Sequence, residues 1–363
     1  MTGSISRRKM SHLQICVTED VQSSRNTGFE DVILIHNSLP EIDMKDINLS
    51  TRFLGHHLSA PFIIEAMTGG TRRAKLINRR LAEAAERYGI AMGVGSQRAA
   101  IENPALEDTF RIVRQTAPEA FLIANIGAPQ LSIEYGIEEV RKAIEMISAD
   151  ALAIHLNPLQ ECIQPEGEPR GKGVIEKISR IVDNIETPVI VKETGTGLSG
   201  NVAKLLQDVG VRAIDVAGRG GTDWGKVEAK RPKTAQQTVS KAELFSNWGI
   251  STVASVLEVT QFTNTPVIAS GGVRNGMHVA KSIALGAEMV GSALPFLSAA
   301  MAGEKMVGRL LERITDELKT AMFLTGSDTI TSLRKVDLIL SGATLNWAIQ
   351  RGLDANRYAR RSD

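Results

Sequence analysis

The sequence has little cysteine, little net charge and no long apolar run. Two cysteines among 363 residues are too few for a disulfide framework, so a reducing compartment is the default. The formal net charge is +1, whereas general nucleic-acid and membrane-surface binders need a basic excess. No run approaches the roughly 20 apolar residues that span a bilayer, and the Ser/Arg-rich start leads into no apolar signal core. These absences predict a cytoplasmic protein that binds neither nucleic acid nor membrane.

Short apolar runs rich in Val and Ile recur along the chain, and eight of them have the length of strands buried on both faces. They are 61–66, 90–95, 120–125, 151–156, 188–193, 212–217, 266–270 and 288–292. Helical patterns lie between them, for example over 72–88, 137–147 and 173–185, and Gly89 is a plausible helix C-cap. Eight strand–helix units without a Gly-rich dinucleotide turn after the first strand predict an α/β fold, a closed (β/α)8 TIM barrel.

The length alone would allow about two domains, but a barrel with extensions also fits. We expect one domain, in which 1–60 forms an N-terminal arm and a cap under the barrel, 61–300 the barrel core and 301–363 the C-terminal helices. Within the cap, 31–36 and 51–55 are expected to form a small antiparallel element.

Two segments interrupt the strand–helix alternation. Residues 157–172 follow the fourth run and contain three prolines, and residues 218–240 follow the sixth run and are rich in Gly, Lys and Arg. Long loops at the carboxyl ends of barrel strands usually serve function, often as lids.

Active sites of such barrels lie at the carboxyl ends of the strands. Ala66-Met67-Thr68-Gly69-Gly70 follows the first run, and two glycines would let the backbone approach a flat ligand, although a simple tight turn is as plausible. Ser96, Gln97 and Arg98 follow the second run, where a cation suits a phosphate group. Asn125 ends the third run, and its amide can both donate to and accept from a ring.

The fourth and fifth runs end in the most informative residues. His155 and Asn157 are two apart, so both face the barrel mouth, and Gln160 and Glu161 follow at once. Glu161 could hold Mg²⁺ shared with a substrate phosphate, although simple solvation is the alternative. Lys192 lies inside an apolar run, where a charge is costly unless paired. It could stabilise a reduced flavin, form a Schiff base, or pair with an internal carboxylate.

The last two runs lead into glycine-rich turns. Gly271-Gly272-Val273-Arg274 follows the seventh, and Gly291-Ser292-Ala293-Leu294 follows the eighth. Barrels often bind phosphate at these two positions, through backbone N–H groups and a helix N-terminus. Arg8, Lys9 and His12 lie at the other end of the chain and indicate either a disordered basic tail or an arm that folds over a diphosphate.

Seven motifs occur together and in order: RKxxH, AMTGG, GSQR, HxNxxQE, VKETGxG, GRGGTxW and SGGVR. In this combination, from Arg8 to Leu294, the chain resembles the type 2 isopentenyl-diphosphate isomerases. SGGVR alone is shared with flavin barrels in general. Ser11, where relatives often carry an acid, and Asp223, where Asn or Ser is commoner, depart from the family pattern.

The resemblance implies an enzyme that interconverts isopentenyl and dimethylallyl diphosphate. It also implies FMN, Mg²⁺, NADPH or NADH as the reductant, and a homotetramer or larger oligomer. The implied FMN contacts are Ala66, Met67, Thr68, Ser96, Asn125, Lys192, Thr222, Gly272, Val273, Arg274, Ala293 and Leu294. The implied substrate contacts are Arg8, Lys9, Ser96, Gln97, Arg98, His155, Asn157 and Gln160. Glu161 is the implied Mg²⁺ ligand.

The implied reaction adds a proton at one carbon and removes one at another. An isolated alkene is a poor base, and the sequence offers no obvious carboxylic acid pair to protonate it. This favours N5 of the reduced flavin as the proton carrier, while the protein supplies position and charge. Gln160, His155 and Lys192 are the expected catalytic side chains, with Gln160 as an orienting or relaying amide.

Two other functions fit parts of the pattern. An FMN-dependent oxidoreductase of the 2-hydroxyacid oxidase or dihydroorotate type would share the barrel and SGGVR, but it would need a base such as a histidine near the seventh strand. His278 is the nearby histidine, and it follows the glycine-rich turn. A non-catalytic phosphate- or flavin-binding barrel is the other possibility, and the joint presence of Lys192, His155 and Gln160 argues against it.

Overall fold

Eight parallel strands close into a barrel, which confirms the predicted α/β architecture. The structure, a computed structural model, describes residues 2–133, 135–232 and 234–361. Met1 and residues 362–363, which the expected arm and C-terminal helices include, lie outside the described residues. The strands are β1 (Val32–Leu34), β2 (Thr51–Phe53), β3 (His56–Leu58), β4 (Phe62–Ile64), β5 (Ala91–Gly93), β6 (Leu122–Gly127), β7 (Ala151–His155), β8 (Val189–Lys192), β9 (Ala213–Asp215), β10 (Val267–Ala269), β11 (Met289–Ser292) and β12 (Leu338–Leu340).

The barrel consists of β4 to β11 in sequence order, with β11 paired to β4. Seven of the eight predicted apolar runs contain one of these strands, and the run 120–125 covers the first four residues of β6. The helices are α1 (Thr2–Thr18), α2 (Arg72–Tyr88), α3 (Arg98–Glu102), α4 (Asp108–Thr116), α5 (Ala128–Ile133), α6 (Ile137–Ile147), α7 (Pro158–Ile163), α8 (Val174–Asn184), α9 (Gly200–Asp208), α10 (Trp224–Ala229), α11 (Gln236–Leu244), α12 (Thr252–Phe262), α13 (Gly276–Ala284), α14 (Leu294–Ala302), α15 (Glu304–Leu324), α16 (Ile330–Leu333) and α17 (Gly342–Gln350).

The barrel strands are buried on both faces, which explains their continuous apolar runs. Ile63 and Ile64 are neighbours in β4, yet Ile63 packs in the barrel interior with Ile123 and Ile190, whereas Ile64 packs outward against the helices. This alternation follows from the two-residue period of a strand. Apolar side chains therefore line the barrel interior, where Ile63, Ile123 and Ile190 also border a small internal cavity.

The cap under the barrel differs from the expected one. The segment 51–55 pairs with the residues that follow it, so β2 and β3 form a hairpin through Leu54 and Gly55, both at positive φ as a type I′ turn requires. Phe53 inserts its ring into the barrel floor, 5.8 Å from that of Phe121. The hairpin therefore does cap the barrel, as expected.

The predicted pairing of 31–36 with 51–55 is wrong. β1 pairs instead with β12, in antiparallel register with Val32 opposite Leu340. The predicted C-terminal helices are present as α15, α16 and α17, but β12 lies between the last two. Val32 and Leu340 bury their side chains in the core, and that burial holds two short strands from opposite ends of the chain together.

The N-terminal basic segment is helical. It lies in α1, which packs against α3, α10 and α14 around the barrel mouth. Of the two alternatives for this segment, the structure therefore supports the folded arm. None of the helices in the described parts of the chain is both long and apolar enough to cross a bilayer.

The β1–β12 pairing leads to a stability prediction with a control in the same strand. Leu338 is fully buried, whereas its neighbour Ile339 is 40% exposed. Leu338→Ala should lower the free energy of unfolding by about 2–5 kcal/mol, because it leaves a core cavity. Ile339→Ala should stay within about 0.5 kcal/mol of the parent. Denaturant unfolding of both variants at one protein concentration tests this, and equal losses would contradict the register.

Candidate active site

Two adjoining clefts open at the carboxyl ends of the barrel strands. The glycine-lined cleft encloses about 1030 Å³ of space, including its open mouth, and is bordered by Gly195, Gly218, Gly221, Gly271, Gly272 and Gly291. The charged cleft encloses about 1140 Å³ and is bordered by Arg8, Lys9, Arg98, Glu161, Glu166 and Glu168. The two clefts share a wall formed by Lys9, His12, Ala66, Met67, Lys192, Thr194 and Trp224.

Nearly all the residues expected at the site line one cleft or the other. Those that line the glycine-lined cleft are Ala66, Met67, Thr68, Lys192, Thr222, Gly272, Arg274, Ala293 and Leu294. Those that line the charged cleft are Arg8, Lys9, Ser96, Arg98, Asn125, His155, Asn157, Gln160 and Glu161. Cofactor and substrate residues therefore separate largely into two spaces. Ser96 and Asn125, implied as FMN contacts, line the charged cleft.

Gln97 and Val273 line neither cleft. The Gln97 amide is fully buried: Nε2 donates to the carbonyl oxygen of Ala143 at 2.8 Å, and Oε1 accepts from the backbone N–H of Asn125 at 2.9 Å. Its polar atoms brace the strand ends from behind, and contact between Gln97 and substrate stays a prediction. The Val273 side chain is also buried, and its carbonyl oxygen accepts from Ser292 Oγ at 2.9 Å.

Anion-binding capacity in the glycine-lined cleft is concentrated at the N-terminus of α14. The cap residue Ala293 offers no side-chain acceptor, so the N–H groups of Leu294 and Phe296, on either side of Pro295, remain available to an anion. The start of α13 differs, because Asn275 Oδ1 accepts from the N–H of His278 and Glu317 accepts from the N–H of Gly276. Of the two glycine-rich turns, the second therefore leads to the better phosphate site.

The glycine-lined cleft also contains a buried polar atom without a partner. Thr68 Oγ1 is inaccessible and makes no hydrogen bond within the described part of the protein. A buried hydroxyl is normally satisfied. Together with the open helix terminus at Ala293, this hydroxyl fits a phosphate-bearing ligand with polar ring atoms, such as FMN.

Lys192 forms the centre of a buried charge cluster. Its Nζ lies 3.0 Å from Asp215 Oδ2 and 3.6 Å from Glu65 Oε2, and it donates to the carbonyl oxygen of Glu193 at 2.9 Å. Ser270 Oγ donates to Asp215 Oδ1 at 2.5 Å. The internal-carboxylate alternative therefore holds, and Lys192 also lines both clefts.

The sequence analysis did not identify Glu65 or Asp215 as site residues. Each lies at the end of an apolar strand, which is the same signal that identified Lys192. A carboxylate pair thus exists at the site, although it lies against the lysine rather than in the charged cleft.

The cluster determines the protonation of its lysine and of a nearby histidine. Burial alone would lower the pKa of Lys192, but the carboxylates of Asp215 and Glu65 raise it above its usual value. The amine is therefore an ammonium ion, which argues against a Schiff-base role that needs the neutral form. Burial and the Lys192 charge lower the pKa of His155 to about 4, so its ring is neutral at pH 7.

Asn125 defines the tautomer of that neutral ring. Asn125 Nδ2 donates to the carbonyl oxygen of Val94 at 3.0 Å, so its Oδ1 is the atom 2.8 Å from His155 Nδ1. An amide oxygen can only accept, and Nδ1 of His155 must carry the proton. Nε2 of His155 is then an acceptor.

A chain of hydrogen-bonded polar side chains runs from the residues after β7 to His12 of α1, which lies on the shared wall. Asn157 Nδ2 donates to Gln160 Oε1 at 3.3 Å, and Gln160 Nε2 donates to Glu228 Oε1 at 3.2 Å. Glu228 is fully buried, and its Oε1 lies 3.1 Å from His12 Nε2. Glu228 has no signal in the sequence, because nothing local to α10 shows that this carboxylate is buried. The chain holds the Gln160 amide in one orientation.

Glu161, the implied Mg²⁺ ligand, lines the charged cleft and accepts three hydrogen bonds. Its Oε1 accepts from Asn157 Nδ2 at 2.9 Å, and its Oε2 accepts from Gln164 Nε2 at 3.1 Å and from the N–H of Glu168 at 2.8 Å. No cluster of three or more His, Cys, Asp or Glu that could hold a metal was found within the described ranges. One carboxylate beside an anion-binding cleft still fits Mg²⁺, which commonly takes few protein ligands plus phosphate oxygens.

The contrast between Gln97 and Arg98 can be measured. Gln97→Ala leaves two buried backbone groups unpaired and should lower the free energy of unfolding by roughly 2–4 kcal/mol. Arg98→Ala removes a half-exposed i,i+4 ion pair with Glu102 and should cost about 0.5 kcal/mol or less. Denaturant unfolding compares the two variants. A smaller loss for Gln97→Ala would show that Gln97 does not brace the strand ends.

Comparisons of the whole sequence identify its relatives. The isopentenyl-diphosphate delta-isomerase of Methanothermobacter thermautotrophicus is 49% identical over 358 residues, covering 99% of this chain and 100% of that one. Enzymes of the same name from Pyrococcus abyssi and Aeropyrum pernix are 47% and 46% identical, covering 97% and 99% of this chain and 97% and 96% of their own lengths.

A family model and solved structures agree on the type of barrel. The model for FMN-dependent dehydrogenases matches residues 148–339, more than half of the chain. A mandelate oxidase with an FMN adduct has a TM-score of 0.59 at 18% identity, covering 87% of this chain and 90% of its own. A protein described as a lactate oxidase from Pediococcus acidilactici has a TM-score of 0.65 at 18% identity, covering 94% of both chains. At such identity these structures support the fold alone. The full-length relatives and the family model together show that this chain belongs to the FMN-dependent, type 2 isopentenyl-diphosphate isomerase family.

Proposed function

We propose that the protein interconverts isopentenyl diphosphate and dimethylallyl diphosphate, with reduced FMN in the glycine-lined cleft. The observation that carries the proposal is the wall shared by the two clefts. A flat cofactor anchored by its phosphate at α14 and a prenyl diphosphate held in the charged cleft would meet at Lys192, Met67 and Trp224. Two separate ligand spaces with one common edge suit a reaction between a cofactor and a second small molecule.

The chain's residues have distinct roles around the cofactor. When bound and reduced, FMN supplies N5 as an acid–base atom beside the alkene. The N-terminus of α14 and the turn at Gly272 hold its phosphate, and Thr68 offers its hydroxyl. Lys192 is charged, and a fixed cation stabilises a reduced ring that carries negative charge.

The charged cleft binds the diphosphate. Arg8, Lys9 and Arg98 provide cations on its wall. Burial, with help from the Arg8 charge, lowers the pKa of Lys9 to about 7, so part of its population is neutral in the free protein. A diphosphate beside Lys9 would favour the ammonium form. Mg²⁺ at Glu161 would neutralise the remaining phosphate charge.

The prenyl chain is positioned by side chains that do not ionise near pH 7. His155 is neutral, and Gln160 is held between Asn157 and Glu228. We assign Gln160 the role of orienting or relaying a proton at the alkene, since its amide has defined donor and acceptor ends. Such fixed dipoles need no reorganisation during the reaction.

The proposal has further components. The flavin is reduced by NADPH or NADH, Mg²⁺ accompanies the substrate, and the enzyme acts in the cytoplasm as a homo-oligomer, a tetramer or octamer. It binds no nucleic acid. Separate measurements test these components: reduction by each nicotinamide, metal dependence, and mass in solution.

An oxidase function receives no support from the site. The histidine near the seventh barrel strand that such an enzyme would use as a base is His278, but this ring stacks on Phe29 with centroids 4.5 Å apart and lines neither cleft. His278 therefore cannot reach a substrate at the shared wall.

The deciding experiment is an anaerobic isomerase assay. The purified protein with FMN, Mg²⁺ and isopentenyl diphosphate should form dimethylallyl diphosphate only after the flavin is reduced, and it should show no net flavin oxidation over many turnovers. Flavin oxidation in proportion to product would point to an oxidoreductase instead. Retained FMN with no product under reduced conditions would contradict the proposed reaction.

Gln160→Ala should lower kcat by about 10²-fold or more, because it removes a positioned dipole at the reacting atoms. The Kd for FMN should stay within about twofold, because Gln160 borders the charged cleft and a small neighbouring cleft but not the glycine-lined cleft. Gln350→Ala is the matched control, since Gln350 is exposed and contacts only Asn346 through its side chain. Stopped assays and FMN titration measure the two constants. Full turnover in Gln160→Ala would remove Gln160 from the mechanism.

Glu161→Gln should raise the Mg²⁺ concentration needed for half-maximal activity at least about tenfold, because even partners of metal ligands contribute about 10- to 100-fold to metal affinity. Calorimetry with Mg²⁺ and inorganic pyrophosphate should show the same loss without any turnover. The exposed Glu145→Gln is the control. An unchanged Mg²⁺ dependence would place the metal elsewhere.

A further inference from the structure

Two carboxyl groups converge on one ammonium ion where the barrel interior meets the glycine-lined cleft. Glu65 follows β4, Lys192 ends β8 and Asp215 ends β9. The Lys192 ammonium contacts both carboxyl groups. All three side chains are at least nine-tenths buried. If both carboxyls were ionised, this apolar region would hold one uncompensated negative charge, which is costly away from water.

The position of the two carboxyls around one ammonium shows how that charge is avoided. Glu65 Oε2 and Asp215 Oδ2 lie 3.6 Å and 3.0 Å from the same ammonium nitrogen, Lys192 Nζ. One ammonium ion compensates only one carboxylate, and a second buried carboxyl avoids the cost of an unpaired charge by keeping its proton. One proton therefore resides on the pair, and the cluster with Lys192 is electrically neutral.

Glu65 is the group that carries this proton. Asp215 Oδ1 accepts from Ser270 Oγ and, at 3.2 Å, from the N–H of Ala217, and its Oδ2 lies 3.0 Å from Lys192 Nζ. Both carboxylate oxygens of Asp215 therefore face donors. Glu65 lies farther from the ammonium, at 3.6 Å. Burial first, and then the Asp215 charge, raise the pKa of Glu65 to about 8.

Neighbouring charges do not change this assignment. Glu193 turns into its own loop, where its Oε2 accepts from the N–H groups of Thr194 at 2.7 Å and Gly195 at 2.6 Å, and from Thr196. His155 is neutral. A Cβ at Gly291 would lie 2.0 Å from Glu65 Oε1, so this glycine leaves the space that the carboxyl fills.

We propose that the Glu65–Asp215 pair is a proton-storing site that couples reduction of the bound flavin to uptake of a proton by the protein. Glu65 and Lys192 line the glycine-lined cleft, so the pair lies at the wall of the cofactor space. This inference rests on FMN binding in that cleft. Glu65 and Asp215 act as positioning residues, because they affect the ring's charge through Lys192 and do not touch the substrate.

Reduction of the bound flavin takes up two electrons and either one or two protons, depending on pH. A nicotinamide delivers two electrons and one proton to the oxidised ring as hydride, which leaves the reduced ring with one negative charge. That charge favours the protonated form of Glu65. Above about pH 8, where Glu65 is ionised beside the oxidised ring, reduction therefore draws one further proton from solvent onto the pair. Below about pH 8 the pair already holds its proton and takes up none.

The test is a spectroelectrochemical titration of the FMN-loaded protein from pH 6 to pH 10. In the parent protein the midpoint potential should fall more steeply above about pH 8, corresponding to two protons per two electrons instead of one. Glu65→Gln, which mimics the protonated carboxyl, should bind FMN and show the one-proton slope throughout. Glu312→Gln, an exposed carboxyl on α15, should keep the parent's steepening. A parent titration without steepening, or steepening retained in Glu65→Gln, would overturn the proposal.

Infrared spectroscopy gives a second measurement that does not depend on the variant's folding. The parent protein at pH 7 should show the C=O stretch of a buried protonated carboxyl, and this band should disappear with a midpoint near pH 8. No such band would refute a shared proton. This inference and the proposed function can be rejected separately. Proton uptake on flavin reduction without isomerase activity would reject only the proposed isomerase function. Isomerase activity without that proton uptake would reject only this inference.

Discussion

The ion pair between Lys192 and Asp215 is the interaction on which the site depends. It places a permanent positive charge at the end of an apolar barrel, where an unpaired ammonium would lose its proton or destabilise the fold. Burial, together with this charge, lowers the pKa of His155 and keeps its ring neutral. Lys192 also borders both clefts. The pairing of one lysine therefore determines the electrostatics of the cofactor space and part of the substrate space.

Much of the barrel could be predicted from the sequence, because each parallel strand is buried on both faces and its apolar run is local and continuous. The cap could not be predicted in full. The partner of β1 is β12, near the other end of the chain, and neither strand carries a local signal that specifies the other. The hairpin of β2 and β3 is local, yet its sequence signal is weak, because the two-residue turn uses Leu54, a residue that rarely adopts positive φ, beside Gly55.

Some residues of the site could likewise be predicted from the sequence, and others could not. Residues at strand ends, such as Lys192 and His155, are predictable because the barrel topology brings strand ends together. The direction of the Gln97 side chain could not be predicted in this way, because neighbouring residues of one strand end face either the cleft or the packing behind it. The place of Glu228 in the site could not be predicted, because it depends on tertiary contacts of α10 with His12 and Gln160. Sequence position identifies the rim of a barrel, while tertiary contacts decide which rim side chains face the ligand.

The pairing of β1 with β12 also has a consequence for biosynthesis. Val32 and its partner Leu340 are 308 residues apart in the sequence. The edge of β1 therefore stays unpaired during translation until the whole barrel and β12 have been synthesised. Such a long-range contact slows folding, and an open strand edge exposes a nascent chain to aggregation. Chaperone dependence should then persist until β12 has left the ribosome.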